Sequence, residues 1–199
     1  MKFTHLAAFV SFLLLGQACS HSKQNFTTTD QSVSAGAEVT RGGSAVDLFD
    51  GDLAVGKKLP DYLPPASQFL GSVAIVNVVP SIDTAVCEEQ THQLGESKAI
   101  DPRVQRVVIS RDLPMAQARF AKAADLENIT YLSDYKQGEF GRKAGLLMQG
   151  SELLARAVLV VDREGIVRHL QIVPEIGHMP NLEKAIGIAN QLAETSAAN

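Results

Sequence analysis

The chain has 199 residues, 45% of them hydrophobic and 20% charged, with a formal net charge of −4. This is the composition of a soluble globular protein with one domain, a real core and an extension. Mild acidity and the lack of any Lys/Arg stripe exclude a nucleic-acid surface, a polyanionic partner or an anionic membrane surface, all of which require clustered cations.

Residues 1–18 read as a signal peptide. A weakly basic start, Met1–His5, precedes the apolar run from Leu6 to Leu15. That run is too short for a bilayer-crossing helix, which needs roughly 20 residues, and is the size of a signal-peptide core. Gly16-Gln17-Ala18-Cys19 is similar to the lipobox of bacterial lipoproteins, although Leu15 stands four residues before the cysteine, where the family prefers three. The expectation is lipidation of Cys19 and a place in the bacterial cell envelope as a periplasmic lipoprotein. Cleavage after Ala18 would instead leave Cys19 free. Residues 19–37, rich in Ser, Thr, Gln and Gly with Phe26 as the one large apolar side chain, read as a flexible tether. Residues 38–199 are then the folded domain.

Val39 to Leu48 reads as a β-hairpin turning at Gly42-Gly43. Ser72–Val79 is a continuous β-branched run suited to a strand buried on both faces. Two more short apolar runs follow, Arg106–Ser110 and Arg156–Val161. Gly165–Val173 pairs with the latter as a hairpin turning at Asp162–Gly165. Helices are expected over Thr84–Gly95, over Met115–Ala124 behind Pro114, and over Pro180–Ala193, where Leu182, Ala185, Ile186 and Ala189 share a face. Strands alternating with helices give an α/β layer architecture, a class that many functions share.

Cys87 falls in the first turn of the helix that follows the first central strand and Pro80. A thiolate, not a thiol, is the nucleophile, and an unperturbed thiol ionises at about 8.5. Unpaired N–H groups and a partial positive charge at a helix N-terminus favour the anion. Thr84, one turn earlier, is placed to aim its hydroxyl at the sulfur. Asp83, Glu88 and Glu89 oppose a second negative charge, with Glu88 and Glu89 expected to project around the helix, so a cation must arrive from elsewhere. From placement alone, a reactive cysteine and a small buried hydrophobe remain open.

Pro80-Ser-Ile-Asp-Thr84-Ala-Val-Cys87 resembles the active-site signature of the thiol peroxidases, a branch of the peroxiredoxins. Ser110–Phe120 resembles a second hallmark of that family, Leu154-Ala-Arg156-Ala-Val resembles the strand that delivers its arginine, and Val173-Pro-Glu-Ile matches the run into the last helix. The similarity spans about residues 38 to 195. It implies a thioredoxin-like (peroxiredoxin) fold with a central mixed sheet flanked by helices and an N-terminal β-hairpin. It implies that Cys87 attacks hydrogen peroxide or an alkyl hydroperoxide to give a sulfenic acid, with Thr84 and Arg156 holding the peroxide and Pro80 shielding the sulfur. No cofactor and no metal are implied; a homodimer is.

The sequence departs from the family at two places. The residue after Arg119-Phe120, usually a resolving cysteine, is Ala121, and the segment from Asp61 to Gly71 is short. A one-cysteine mechanism with an external thiol reductant is therefore expected. The competing reading is an envelope redox-sensing or binding module of the same fold. A Cys19–Cys87 disulfide is the alternative if Cys19 is unlipidated, since about 20 extended residues reach on the order of 60 Å. His92, His169 and His178 lack metal-ligand spacing. His92 is expected in a surface pair with Glu88, Met115 is expected to fill core space, and Gly42-Gly43 is a turn and not a phosphate cradle.

Overall fold

The β-branched runs of the sequence meet in one five-stranded sheet. The computed structural model describes residues 25–59 and 71–195. In chain order its elements are β1 (Thr28–Thr29), β2 (Val39–Arg41), β3 (Ser44–Val46), β4 (Ala74–Val78), α1 (Ala85–Glu96), β5 (Gln105–Ser110), α2 (Pro114–Ala123), β6 (Thr130–Ser133), α3 (Glu139–Ala144), β7 (Ala157–Val161), β8 (Val167–Ile172), β9 (Met179–Pro180) and α4 (Leu182–Thr195). The sheet order is β6-β5-β4-β7-β8. β4 pairs in parallel with β5 and antiparallel with β7, so the sheet is mixed. β7 and β8 form the expected hairpin, turning through Asp162–Gly165.

Both faces of the sheet are covered, and the two-residue period of a strand sorts its side chains between two cores. Ala74, Val76 and Val78 of β4 join Ala157, Leu159 and Val161 of β7 against Phe140 of α3 and the β2–β3 side of the molecule. Ile75 and Val79 join Val158 and Val160 against α1 and α4, where Cys87, Leu94, Leu182, Ala185 and Ile186 pack. Each fully buried aliphatic side chain contributes roughly 1.5–3 kcal/mol, so the central strands β4, β5 and β7 are held from both sides. The first hairpin turns as read, with Gly42 and Gly43 both at positive φ, as a two-residue turn of this hand requires.

The tether reading of residues 19–37 fails for the described part, residues 25–37. Thr28–Thr29 pairs in parallel with Met179–Pro180. Val33 N–H donates to the Ile172 carbonyl at 3.0 Å, and Gly36 N–H to the Gly145 carbonyl at 2.9 Å. The Gln171 amide donates to the carbonyls of Thr29 and Gln31. The segment has few apolar side chains, but its backbone pairs with β9 and with the Ile172 end of edge strand β8, which an isolated sheet would leave exposed. From Thr27 onward this segment is therefore part of the folded domain. The expectations for the signal peptide, for Cys19 and for the shortened stretch after Asp61 lie wholly or almost wholly outside the described residues.

Three further expectations need correction. Met115 does not fill the core: it is 74% exposed on the first turn of α2, whose buried face is made by Gln117 and Ala121. His92 does meet Glu88, at 3.9 Å, but its closer partner is Glu96, at 2.6 Å from Nδ1, and the ring is buried rather than on the surface. Glu89 is buried, lining a cavity beside Leu182 and Ile186 of α4 with its Oε1 accepting from the Gln93 amide.

Candidate active site

β4 ends its sheet pairing where Val79 N–H donates to the Ile109 carbonyl at 3.0 Å. Pro80, buried and without an N–H, stops the ladder there. The loop that follows is gripped from across the sheet by Asp112, which accepts the Ser81 hydroxyl at 2.7 Å and the Ile82 N–H at 2.8 Å. Thr84 then caps α1 in an extended conformation, φ −133° and ψ 142°, yet its side chain makes no capping hydrogen bond. The hydroxyl donates to Cys87 Sγ at 2.9 Å. A side-chain cap is typically worth about 1 kcal/mol, so this residue serves the sulfur in place of the helix end.

Cys87 is the third residue of α1 and has no exposed surface. Arg156 reaches it from the opposite side of the cleft. This residue immediately precedes β7, whose Ala157 is in register with Val78 of β4. Since Ala157 faces the α3 side, alternation turns Arg156 to the α1 side, at the end of the sheet where β4 delivers Cys87. The guanidinium makes three hydrogen bonds: Nε to the Ile176 carbonyl at 2.7 Å, Nη1 to Gln90 Oε1 at 2.7 Å, and Nη2 to Cys87 Sγ at 3.3 Å. It is 2% exposed. Its oxygen acceptors are both neutral carbonyls, so the Cys87 sulfur is the only one of its three partners that is able to carry a negative charge.

Of the four residues expected from the sequence, Thr84 and Arg156 meet at the sulfur of Cys87, and Pro80 is buried where β4 ends. The structure adds Gln90, which motif and spacing alone do not single out. Gln90 lies one helical turn after Cys87, is fully buried, and ties Arg156 Nη1 to the β7 backbone by donating to the Ala157 carbonyl at 3.3 Å. Its own carbonyl accepts from Asn77 Nδ2 at 3.0 Å, fixing α1 to β4. α1 is polar at most of its positions, so nothing in the sequence sets Gln90 apart from its neighbours. Ala121, at the family's resolving position, is buried in α2, and Cys87 is the only cysteine among the described residues. A separate cavity of about 740 Å³, lined by residues including Phe26, Glu89, His92 and Leu182, contains none of the four.

A buried sulfur held by a hydroxyl and a guanidinium, at the start of a helix that follows a central strand of a mixed sheet, defines a cysteine-based peroxidase site on a thioredoxin-like fold. Comparison with known proteins agrees. Residues 65–186 match the family model described as Redoxin, and the chain belongs to that family. It is 36% identical to the thiol peroxidase of Bacillus subtilis over 166 residues, covering 79% of this chain and 99% of the relative. It is 37% identical to the thiol peroxidase of Streptococcus pneumoniae strain R6 over 162 residues, covering 77% and 99%. Among solved structures, a peroxiredoxin-like protein from Aquifex aeolicus superposes with a TM-score of 0.71 at 32% identity, over 80% of this chain and 99% of that one. The thioredoxin-like peroxiredoxin fold expected from the sequence is therefore the observed one.

Proposed function

We propose that this protein is a thiol-dependent peroxidase that reduces hydrogen peroxide and alkyl hydroperoxides by a one-cysteine cycle. The observation that carries the reading is the convergence of Thr84 Oγ1 and Arg156 Nη2 on Cys87 Sγ. The thiolate attacks the distal oxygen of the peroxide, forming an S–O bond as the O–O bond breaks; the leaving oxygen takes a proton and departs as water or an alcohol. Arg156 and Thr84 present N–H and O–H donors where negative charge passes from sulfur to the leaving oxygen, so they stabilise the transition state electrostatically. An external thiol then attacks the sulfenic sulfur, releasing water and leaving a mixed disulfide. A second thiol resolves that disulfide, restoring Cys87 and leaving the donor oxidised as its own disulfide.

The reliance on an external thiol is supported by Ala121 at the family's resolving position. Export to the cell envelope and lipidation at Cys19 are part of this proposal, supported by the apolar run Leu6–Leu15 and the lipobox-like Gly16–Cys19. A homodimer is the assembly proposed by family likeness, to be checked by sedimentation of the purified domain. The central test is peroxide consumption with dithiothreitol or a thioredoxin as donor. The wild type is expected to form a trappable Cys87 sulfenate with micromolar peroxide and to turn over, and C87S to do neither. A wild-type cysteine no faster than a free thiol with peroxide would sink the proposal.

A further inference from the structure

The second hallmark, Ser110–Phe120, lies in part beside the active-site loop without touching the sulfur. We propose that Asp112 is a positioning residue for the peroxidase reaction, acting through Ser81 to set where the Thr84 hydroxyl points. The inference rests on the peroxidase reading above and deepens it.

The loop from Pro80 to Thr84 has no ladder of its own. Both carboxylate oxygens of Asp112 are spent on it, Oδ1 on the Ser81 hydroxyl at 2.7 Å and Oδ2 on the Ile82 N–H at 2.8 Å. The Ser81 oxygen passes the restraint on by accepting the Asp83 N–H at 3.2 Å. Thr84 has one hydroxyl proton and two acceptors within reach, Cys87 Sγ at 2.9 Å and the Ser81 carbonyl at 3.4 Å. The position of Ser81 therefore bears on which acceptor that proton serves. With Ser81 pinned, the sulfur is the nearer partner; with Ser81 released, its carbonyl competes for the same proton. Asp112 is itself a fixed point. Its carbonyl accepts the Ser133 hydroxyl of β6, and its neighbour Arg111 donates to the carbonyls of Glu152 and Asp134. Asp112 thus ties edge strand β6 to the loop that carries Thr84.

The experiment is a double-mutant cycle read as the second-order rate of Cys87 sulfenate formation, with thermal unfolding measured in parallel. D112A is expected to lower that rate about 30-fold, as small misplacements of a reacting group do. D112N keeps an acceptor for Ile82 and can donate to Ser81, and is expected to stay within about 3-fold of wild type. In a T84V background the same D112A change is expected to cost less than about 2-fold, because the group it positions is gone. S81A, which removes the link and leaves the carboxylate, repeats the measurement should D112A not fold, with a loss of about 10-fold expected. Wild-type rates in both D112A and S81A, or an equal D112A loss with and without Thr84, overturn the inference. A slow wild type would instead overturn the peroxidase reading itself.

Discussion

Arg156 is a cation taken almost wholly out of water and met by two carbonyl-type oxygens and a sulfur. Desolvating such a group costs several kcal/mol, and neutral acceptors offset only part of it. The side chain is therefore held for chemistry at the expense of stability. R156M, close in volume and uncharged, is expected to melt at or above the wild-type temperature while sulfenate formation falls about 100-fold or more. A variant that melts lower and reacts at the wild-type rate would reverse this assignment. The residues that gather at the sulfur are legible in the sequence, because Thr84 and Cys87 lie within one short motif and Arg156 stands in a run that resembles the family's arginine-bearing strand. Gln90 and Asp112 are not. Each matters through a partner distant in sequence, Arg156 for the one and Ser81 for the other, and a single chain does not display such pairings.

At the scale of elements, the strands β4, β5, β7 and β8 and the helices α1, α2 and α4 follow from periodicity and punctuation. β6 and α3 do not: one is a four-residue strand, the other a single six-residue helix flanked by left-handed Gly138 and Gly145. The N-terminal segment defies its composition, because composition reports side-chain burial and is blind to backbone pairing. Its seat is tight. A Cβ on Gly51 would fall 2.0 Å from the backbone nitrogen of Gly145, whose neighbour across the contact is Gly36. G51A is accordingly expected to lower the unfolding free energy by about 2 kcal/mol or more, since backbone cannot yield as a side chain can. Urea titration would show it; a change under about 0.5 kcal/mol would contradict this contact.

Glu175 ties the first hairpin to the run before α4. Burial pushes its carboxyl up, but the N–H groups of Gly43, Gly177 and Gly42 and the Thr40 hydroxyl outweigh that and bring it from 4.5 to about 2. A carboxylate depressed on folding stabilises the native state above its unfolded value, and that contribution is lost as pH falls from about 4.5 towards 2. E175Q should be less stable than wild type at neutral pH, and the gap should close through that acid window. A gap independent of pH between about 5 and about 2 would rule the carboxylate out as its source.

For the molecule as a whole, the sheet carries two cores, and the reacting atom sits inside one of them. Cys87 has no exposed surface, so a bulky protein thiol requires a larger local opening than a peroxide does. With a thioredoxin-sized donor, turnover is expected to level off at a ceiling set by loop opening and unmoved by further donor, while a small thiol keeps accelerating the cycle over the same range. Equal, unbounded acceleration by both would mean that the sulfur is reached without any opening.

Full enclosure of Cys87 has one more outcome. Every oxygen atom gained by that sulfur has to be housed in a close-packed interior, where added volume distorts what surrounds it. The reduced chain is thus the better-fitted one, and the form carrying sulfenic acid at Cys87 is expected to unfold at a lower temperature than the thiol form.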